Sequence, residues 1–245
     1  MQTQTTRLKR KVFDGEVPIF VARPSAVGPY PGVLVTMDAF GVTPWLETAA
    51  DRLASEGYVV AVPDLYHRFD KRSYAPAEAA AAGAAMARTL EGTIVTDTCA
   101  TLEYMKEPMV CRGRGLGVLG FSFGGRIALQ TSCHHIELRA AAICCPLQVA
   151  NAERDALGMR PIDRAPWIRA RLLALYAGSD REVPESERVE LEENLRKHNK
   201  AHEVVVYPDA GHRFWDEASP DHDASMAKDS WLRITRFFAE ELAVR

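Results

Sequence analysis

Short apolar runs that alternate with helix-length segments predict an α/β fold: a mostly parallel central sheet with helices on both faces, entered through an N-terminal β-hairpin. Two further observations support this. The strand-type runs are apolar over most of their length rather than strictly alternating, as in strands covered on both faces. The polar residues with chemical potential cluster just after those runs, where ligands bind in open parallel sheets.

The hairpin is expected over residues 9–23, with Asp14-Gly15 as its turn signal. Residues 32–36, Gly-Val-Leu-Val-Thr, follow as a buried strand. Thr43 then offers an N-cap and Pro44 a first helical position for a helix to Glu56, stopped by Gly57. Residues 58–62 form the next strand, and an Ala-rich stretch over 76–90 favours helix. Further strands are predicted at 115–119, 139–144, 171–177 and 203–207, with helices near 93–107, 124–134 and 185–199 and a last helix over 224–243. Residues 146–170 are the least regular segment. Neither an internal repeat nor a Pro/Gly/Ser linker breaks the pattern, so residues 1–245 are expected to form a single domain.

Composition narrows the class of partner. Apolar residues make up 47% of the 245-residue chain, enough for a packed core. Thirty Lys and Arg against thirty-three Asp and Glu give a net charge of −3, with neither a basic block nor an acidic tail. Nucleic acid and membrane surfaces are therefore not the expected partners, and a small molecule is. Residues 1–11 are polar and lack an apolar run for a signal or a span, which points to a cytoplasmic protein. Five cysteines (Cys99, Cys111, Cys133, Cys144, Cys145) show no paired metal-site spacing and are expected as thiols filling the core.

Gly120-Phe121-Ser122-Phe123-Gly124-Gly125 fits G-x-S-x-G between a predicted strand and a predicted helix. A nucleophile elbow requires that context: the turn is too tight for bulky flanking side chains, and the serine is left at a helix N-terminus whose N–H groups can receive an oxyanion. A serine hydroxyl needs a base. Downstream, one strand ends in Gly178-Ser179-Asp180 and the next in Pro208-Asp209-Ala210-Gly211-His212. Ser122, Asp180 and His212, each just past a strand, follow the chain order of an α/β-hydrolase triad. Gly178-Ser179-Asp180 also reads as a plain turn, which keeps Asp209 and Glu182 as alternative acids. His134 and His135 are adjacent and point to different faces of a helix, so no metal site is expected. Gly115-Leu116-Gly117-Val118-Leu119-Gly120 matches the dinucleotide fingerprint, but its glycines fall inside the strand, which disfavours a nicotinamide oxidoreductase.

The chain resembles the dienelactone hydrolase family in Met37-Asp38-Ala39-Phe40-Gly41, in Gly57-Tyr58 with Val62-Pro63-Asp64-Leu65-Tyr66, and in the elbow hexapeptide. Gly178-Ser179-Asp180 with Val183-Pro184, and Ala210-Gly211-His212-Arg213-Phe214, complete the resemblance. It implies an α/β-hydrolase fold without a large lid, no cofactor, the triad Ser122, Asp180, His212, and oxyanion donors at the N–H groups of Phe123 and Ala39. Three features depart from the family: serine stands where its best-known members carry cysteine, Asp38 stands where they carry glutamate, and Asp216 and the 79–82 alanines stand in the regions of their substrate-binding arginines, with Arg213 and Arg68 as the candidates to substitute. The function expected is hydrolysis of carboxylic esters or lactones through an acyl-enzyme. The alternative is a hydrolase-fold binding protein without turnover. Asp38, Phe40, Tyr66, Phe121 and Trp215 are candidate substrate contacts.

Overall fold

The structure, a computed structural model, describes residues 1–111, 115–155 and 157–242. Ala243, at the end of the last expected helix, lies outside the described residues. The chain divides into two compact units, Met1–Gly117 with the chain end from Leu242, and Val118–Glu241.

In the first unit the strands are ordered β1-β2-β4-β3. Strands β1 (Thr3–Val12) and β2 (Gly15–Pro24) form the hairpin, paired from Thr3↔Pro24 to Val12↔Gly15. It starts earlier than apolar alternation suggests because β1 is an edge strand: residues such as Thr5, Arg7 and Lys9 stay solvated, and no buried face selects their pattern. Strand β3 (Gly32–Thr36) runs parallel to β4 (Val59–Pro63), and every residue of both is buried. Helix α1 (Pro44–Ser55) begins where Thr43 caps it, the hydroxyl accepting from the Leu46 N–H at 3.3 Å. The Ala-rich segment is a 3-10 turn at Pro76–Glu78 followed by α2 (Ala79–Arg88), and α3 spans Glu91–Met105.

An ionic cluster around the buried Asp97 ties this unit together. The Asp97 carboxylate on α3 accepts Arg68 Nη1 at 2.6 Å and Nη2 at 3.0 Å, with His67 Nε2 at 3.2 Å. The same guanidinium spans Asp14 at the hairpin turn, Nε at 2.6 Å and Nη2 at 2.7 Å. One arginine thus joins hairpin, loop and helix.

The second unit carries the order β5-β6-β7-β8. Strand β5 (Leu116–Phe121) opens it and leads into α4 (Phe123–His134); β6 (Leu138–Cys144), β7 (Arg171–Ala177) and β8 (His202–Tyr207) run parallel. Gly117 and Gly120 lie within β5, whereas Gly115 falls just before it. Helix α5 (Glu185–Lys197) links β7 to β8, and α6 (Ala224–Leu242) follows the loop that carries His212. In the irregular segment, Pro161–Trp167 forms a 3-10 helix. Among the described residues, no helix is long and apolar enough to cross a membrane.

Candidate active site

Ser122 stands between the last residue of β5 and the first of α4 with φ 56° and ψ −121°, a conformation that non-glycine residues adopt only when their surroundings hold them. Three contacts do so. The Ser122 N–H donates to the Cys144 carbonyl at 2.8 Å, at the end of β6. The Ser122 carbonyl accepts from Gly125 at 2.9 Å and from Leu147 at 3.1 Å. On the helix side, a Cβ at Gly125 would lie 3.0 Å from the Pro146 Cα, so that glycine lets α4 approach the 146–147 loop.

Asp180 follows β7 and His212 follows β8. The two strand ends meet at Gly178, where an added Cβ would fall 2.5 Å from the Pro208 carbonyl oxygen. Glycine there is a packing requirement, not merely a turn preference. A Cβ on Gly211 would lie 2.5 Å from the Asp221 carboxylate carbon, so the histidine loop is equally tight.

These placements bring three side chains into line. Ser122 Oγ lies 2.8 Å from His212 Nε2, and His212 Nδ1 lies 2.7 Å from Asp180 Oδ2. The other Asp180 oxygen accepts the N–H groups of Glu182 at 2.8 Å and Val183 at 3.0 Å. Burial opposes ionisation of Asp180, but the His212 hydrogen bond and charge and the two amides outweigh it, holding the carboxyl below its ordinary range. The arrangement can pass a proton from hydroxyl to imidazole while a fixed carboxylate steadies the cation. Asp209, the alternative acid, is exposed, and Glu182 approaches the opposite ring nitrogen, its Oε2 4.0 Å from Nε2.

A thiol stands beside this line. Cys145 Sγ and the polar atoms of Asp180 and His212 all lie within 4.8 Å of one another. Cys145 is fully buried, and burial, with the neighbouring Asp180 carboxylate, pushes its thiol well above the usual range. Read from sequence as core filler, it stands just past β6, the kind of position that marked Ser122, Asp180 and His212. All five cysteines are free thiols.

Glu187, on the first turn of α5, is the other group the sequence did not single out. Its buried carboxylate accepts the Val149 N–H at 2.5 Å and Asn151 Nδ2 at 2.7 Å, with the Ala150 and Asn151 amides also donating to it. It gathers the loop that supports the elbow. Nothing in a Glu on a charged helix announces this.

The remaining expected residues separate by use. In the first unit, Asp38 Oδ1 accepts the Phe40 N–H at 2.8 Å, and the Tyr66 hydroxyl donates to the Ala39 carbonyl at 3.0 Å. Both side chains thereby brace the loop on either side of Ala39. Gly41, with φ 86°, lets the same loop pass the Arg72 carbonyl, which a Cβ would meet at 2.1 Å. Phe40 is half-buried. In the second unit, Phe121 packs its ring 5.2 Å from Trp215, whose ring lies 6.2 Å from His212. Phe123 is fully buried, its N–H opening α4. Tyr66 is buried completely, its hydroxyl held by the Ala39 carbonyl.

Comparison with known proteins bears on this arrangement. The profile of the dienelactone hydrolase family matches residues 17–242. A candidate carboxymethylenebutenolidase of Salmonella typhi is 32% identical over 231 residues, covering 92% of this chain and 83% of that protein. The carboxymethylenebutenolidase of Rhodococcus opacus is 29% identical over 215 residues, 86% and 82% of the respective chains. The crystal structure of a candidate dienelactone hydrolase from Klebsiella pneumoniae superposes with a TM-score of 0.89 at 26% identity, covering 98% of this chain and 100% of that one. The architecture is thus the α/β-hydrolase fold, with a mostly parallel sheet.

Proposed function

We propose, since the chain belongs to the dienelactone hydrolase family, that it is a serine hydrolase cleaving small carboxylic esters or lactones through an acyl-enzyme. The observation that carries this is the unbroken line from Ser122 Oγ through the His212 ring to Asp180, at 2.8 and 2.7 Å. His212 Nε2 takes the hydroxyl proton as Oγ attacks the carbonyl carbon. The oxyanion forms against the Phe123 N–H at the start of α4; the family resemblance assigns Ala39 as the second donor. His212 then gives the proton to the departing alkoxide, leaving Ser122 acylated. Water, deprotonated by the same nitrogen, releases the acid and restores the serine.

The chain from 1 to 245 acts in this reading as one catalytic domain, which the family match over residues 17–242 supports. Five free thiols agree with a cytoplasmic location. Asp38 has a structural use in it, one carboxylate oxygen accepting the Phe40 amide and fixing the turn beside Ala39.

The closeness of Cys145 to Asp180 and His212 favours a second reading, a thiol nucleophile. Its burial and raised thiol argue against it, since the thiolate is the reactive form. Two variants decide. Ser122→Ala should lower kcat on p-nitrophenyl esters by roughly 10⁶ and abolish labelling by a fluorophosphonate, while Cys145→Ala should keep both. The reverse pattern would move the nucleophile to Cys145.

A further inference from the structure

We propose that Glu182 sets the charge preference of this site, favouring neutral and cationic esters over esters that carry a carboxylate. The proposal rests on Ser122 as nucleophile and His212 as base. Nε2 is the ring nitrogen that faces Ser122 Oγ, so the reacting carbonyl must come to its side. Glu182 Oε2 lies 4.0 Å from that nitrogen, on a side chain 56% exposed to solvent. The carboxylate therefore stands at the solvent side of the base, where an ester enters.

Its position has a local cause. The Glu182 and Val183 amides both donate to Asp180 Oδ1, so the backbone after β7 is held by the same carboxylate that orients His212. Val183 is itself buried and anchors the turn from below. Among the described residues no lysine or arginine comes within ion-pair distance of it. Arg213, the basic residue next to His212, is engaged by Asp216.

An uncompensated charge here acts in two directions. It favours the imidazolium that forms as Ser122 attacks, which helps every ester alike. It opposes a carboxylate on the substrate, which penalises only anionic ones. The ratio of kcat/KM between substrates isolates the second effect. For charges about 6 Å apart in solvent, the interaction corresponds to roughly 3- to 10-fold at low ionic strength, shrinking as salt shortens the screening length.

The test uses p-nitrophenyl esters of matched length whose acyl tails end in a carboxylate, a methyl ester or a trimethylammonium group. Glu182→Gln should raise the anionic-to-neutral ratio about 3- to 10-fold and lower the cationic-to-neutral ratio correspondingly, and Glu182→Lys should carry both changes further. Both changes should diminish near 1 M salt. Ser122→Ala is measured alongside. If it abolishes turnover and the ratios stay unmoved in both Glu182 variants, the charge preference alone is overturned. If turnover of the esters does not depend on Ser122, the catalytic reading falls and takes this one with it.

Discussion

Replacing Asp180 by Asn tests the proposed catalytic line with little change of shape. In the native protein Oδ1 accepts two amides, from Glu182 and Val183, while Oδ2 accepts His212 Nδ1. An asparagine must keep its carbonyl oxygen toward the two N–H donors, because an NH₂ group there would face them donor to donor. Its NH₂ is thereby forced toward Nδ1 and will donate to it. The ring must then carry its proton on Nε2, the nitrogen that should accept from Ser122 Oγ. A base in the wrong tautomer costs on the order of 10⁴ in kcat, equivalent to about 5.5 kcal/mol of transition-state stabilisation. KM should change little, since Asp180 lies behind the ring. The assay is steady-state hydrolysis of a neutral p-nitrophenyl ester, with thermal melts to verify the fold. The acid limb of stability provides a second readout. Because the Asp180 carboxyl is held below its ordinary range in the folded state, its stabilising contribution is present above the unfolded value and is lost as pH falls through the folded one. The variant should therefore lose less stability between neutral and acid pH than the parent. A kcat within tenfold of wild type would refute the orientation argument.

Two other perturbations address the scaffold. Asp97→Ala removes the buried acceptor of Arg68 and His67; breaking such a pair should cost about 3 kcal/mol and lower Tm by roughly 6–12 °C, and a melt shifted by under a degree would show that Asp14 alone satisfies the guanidinium. Gly178→Ala drives a Cβ into the Pro208 backbone, which should cost about 1–3 kcal/mol in urea unfolding and reduce kcat as Asp180 is displaced, whereas an unchanged midpoint would mean the strand ends separate freely.

Much of this was legible in the sequence because the signals were redundant. Strands β3, β4 and β5 are buried along their whole length and apolar but for Thr36, and such runs have few alternatives in a chain with helical segments between them. Ser122, Asp180 and His212 could be chosen because each follows a strand, and the structure places them in hydrogen-bond contact. What escaped has physical reasons. The polar half of β1 carries no burial pattern, being an edge. The hydroxyl bond from Tyr66 to the Ala39 carbonyl gave no signal either, because its two partners lie far apart in sequence. Cys145 stood in a strand-end position like those of the triad, but cysteine is so often a small apolar filler that its place after β6 was passed over. Glu187 gave no signal, because its partners are main-chain amides distant in sequence.

The Glu187 and Leu147 contacts tie the first part of the least regular stretch of the chain to both the elbow and α5. Residues 146–151 are held at both ends, by the elbow through Leu147 and Gly125 and by α5 through Val149 and Asn151. Beyond them the chain bonds to itself, the Gly158 N–H donating to the Asp155 carbonyl at 2.9 Å and the Asp155 carboxylate accepting from the Met159 amide and Arg164. Length variation should accumulate in that outer turn, while the half-dozen residues before it keep their number, since one insertion there would pull on Ser122 itself. A loop without regular secondary structure can thus be among the least variable parts of an enzyme, and a designer seeking new substrates would graft beyond Asn151, not before it.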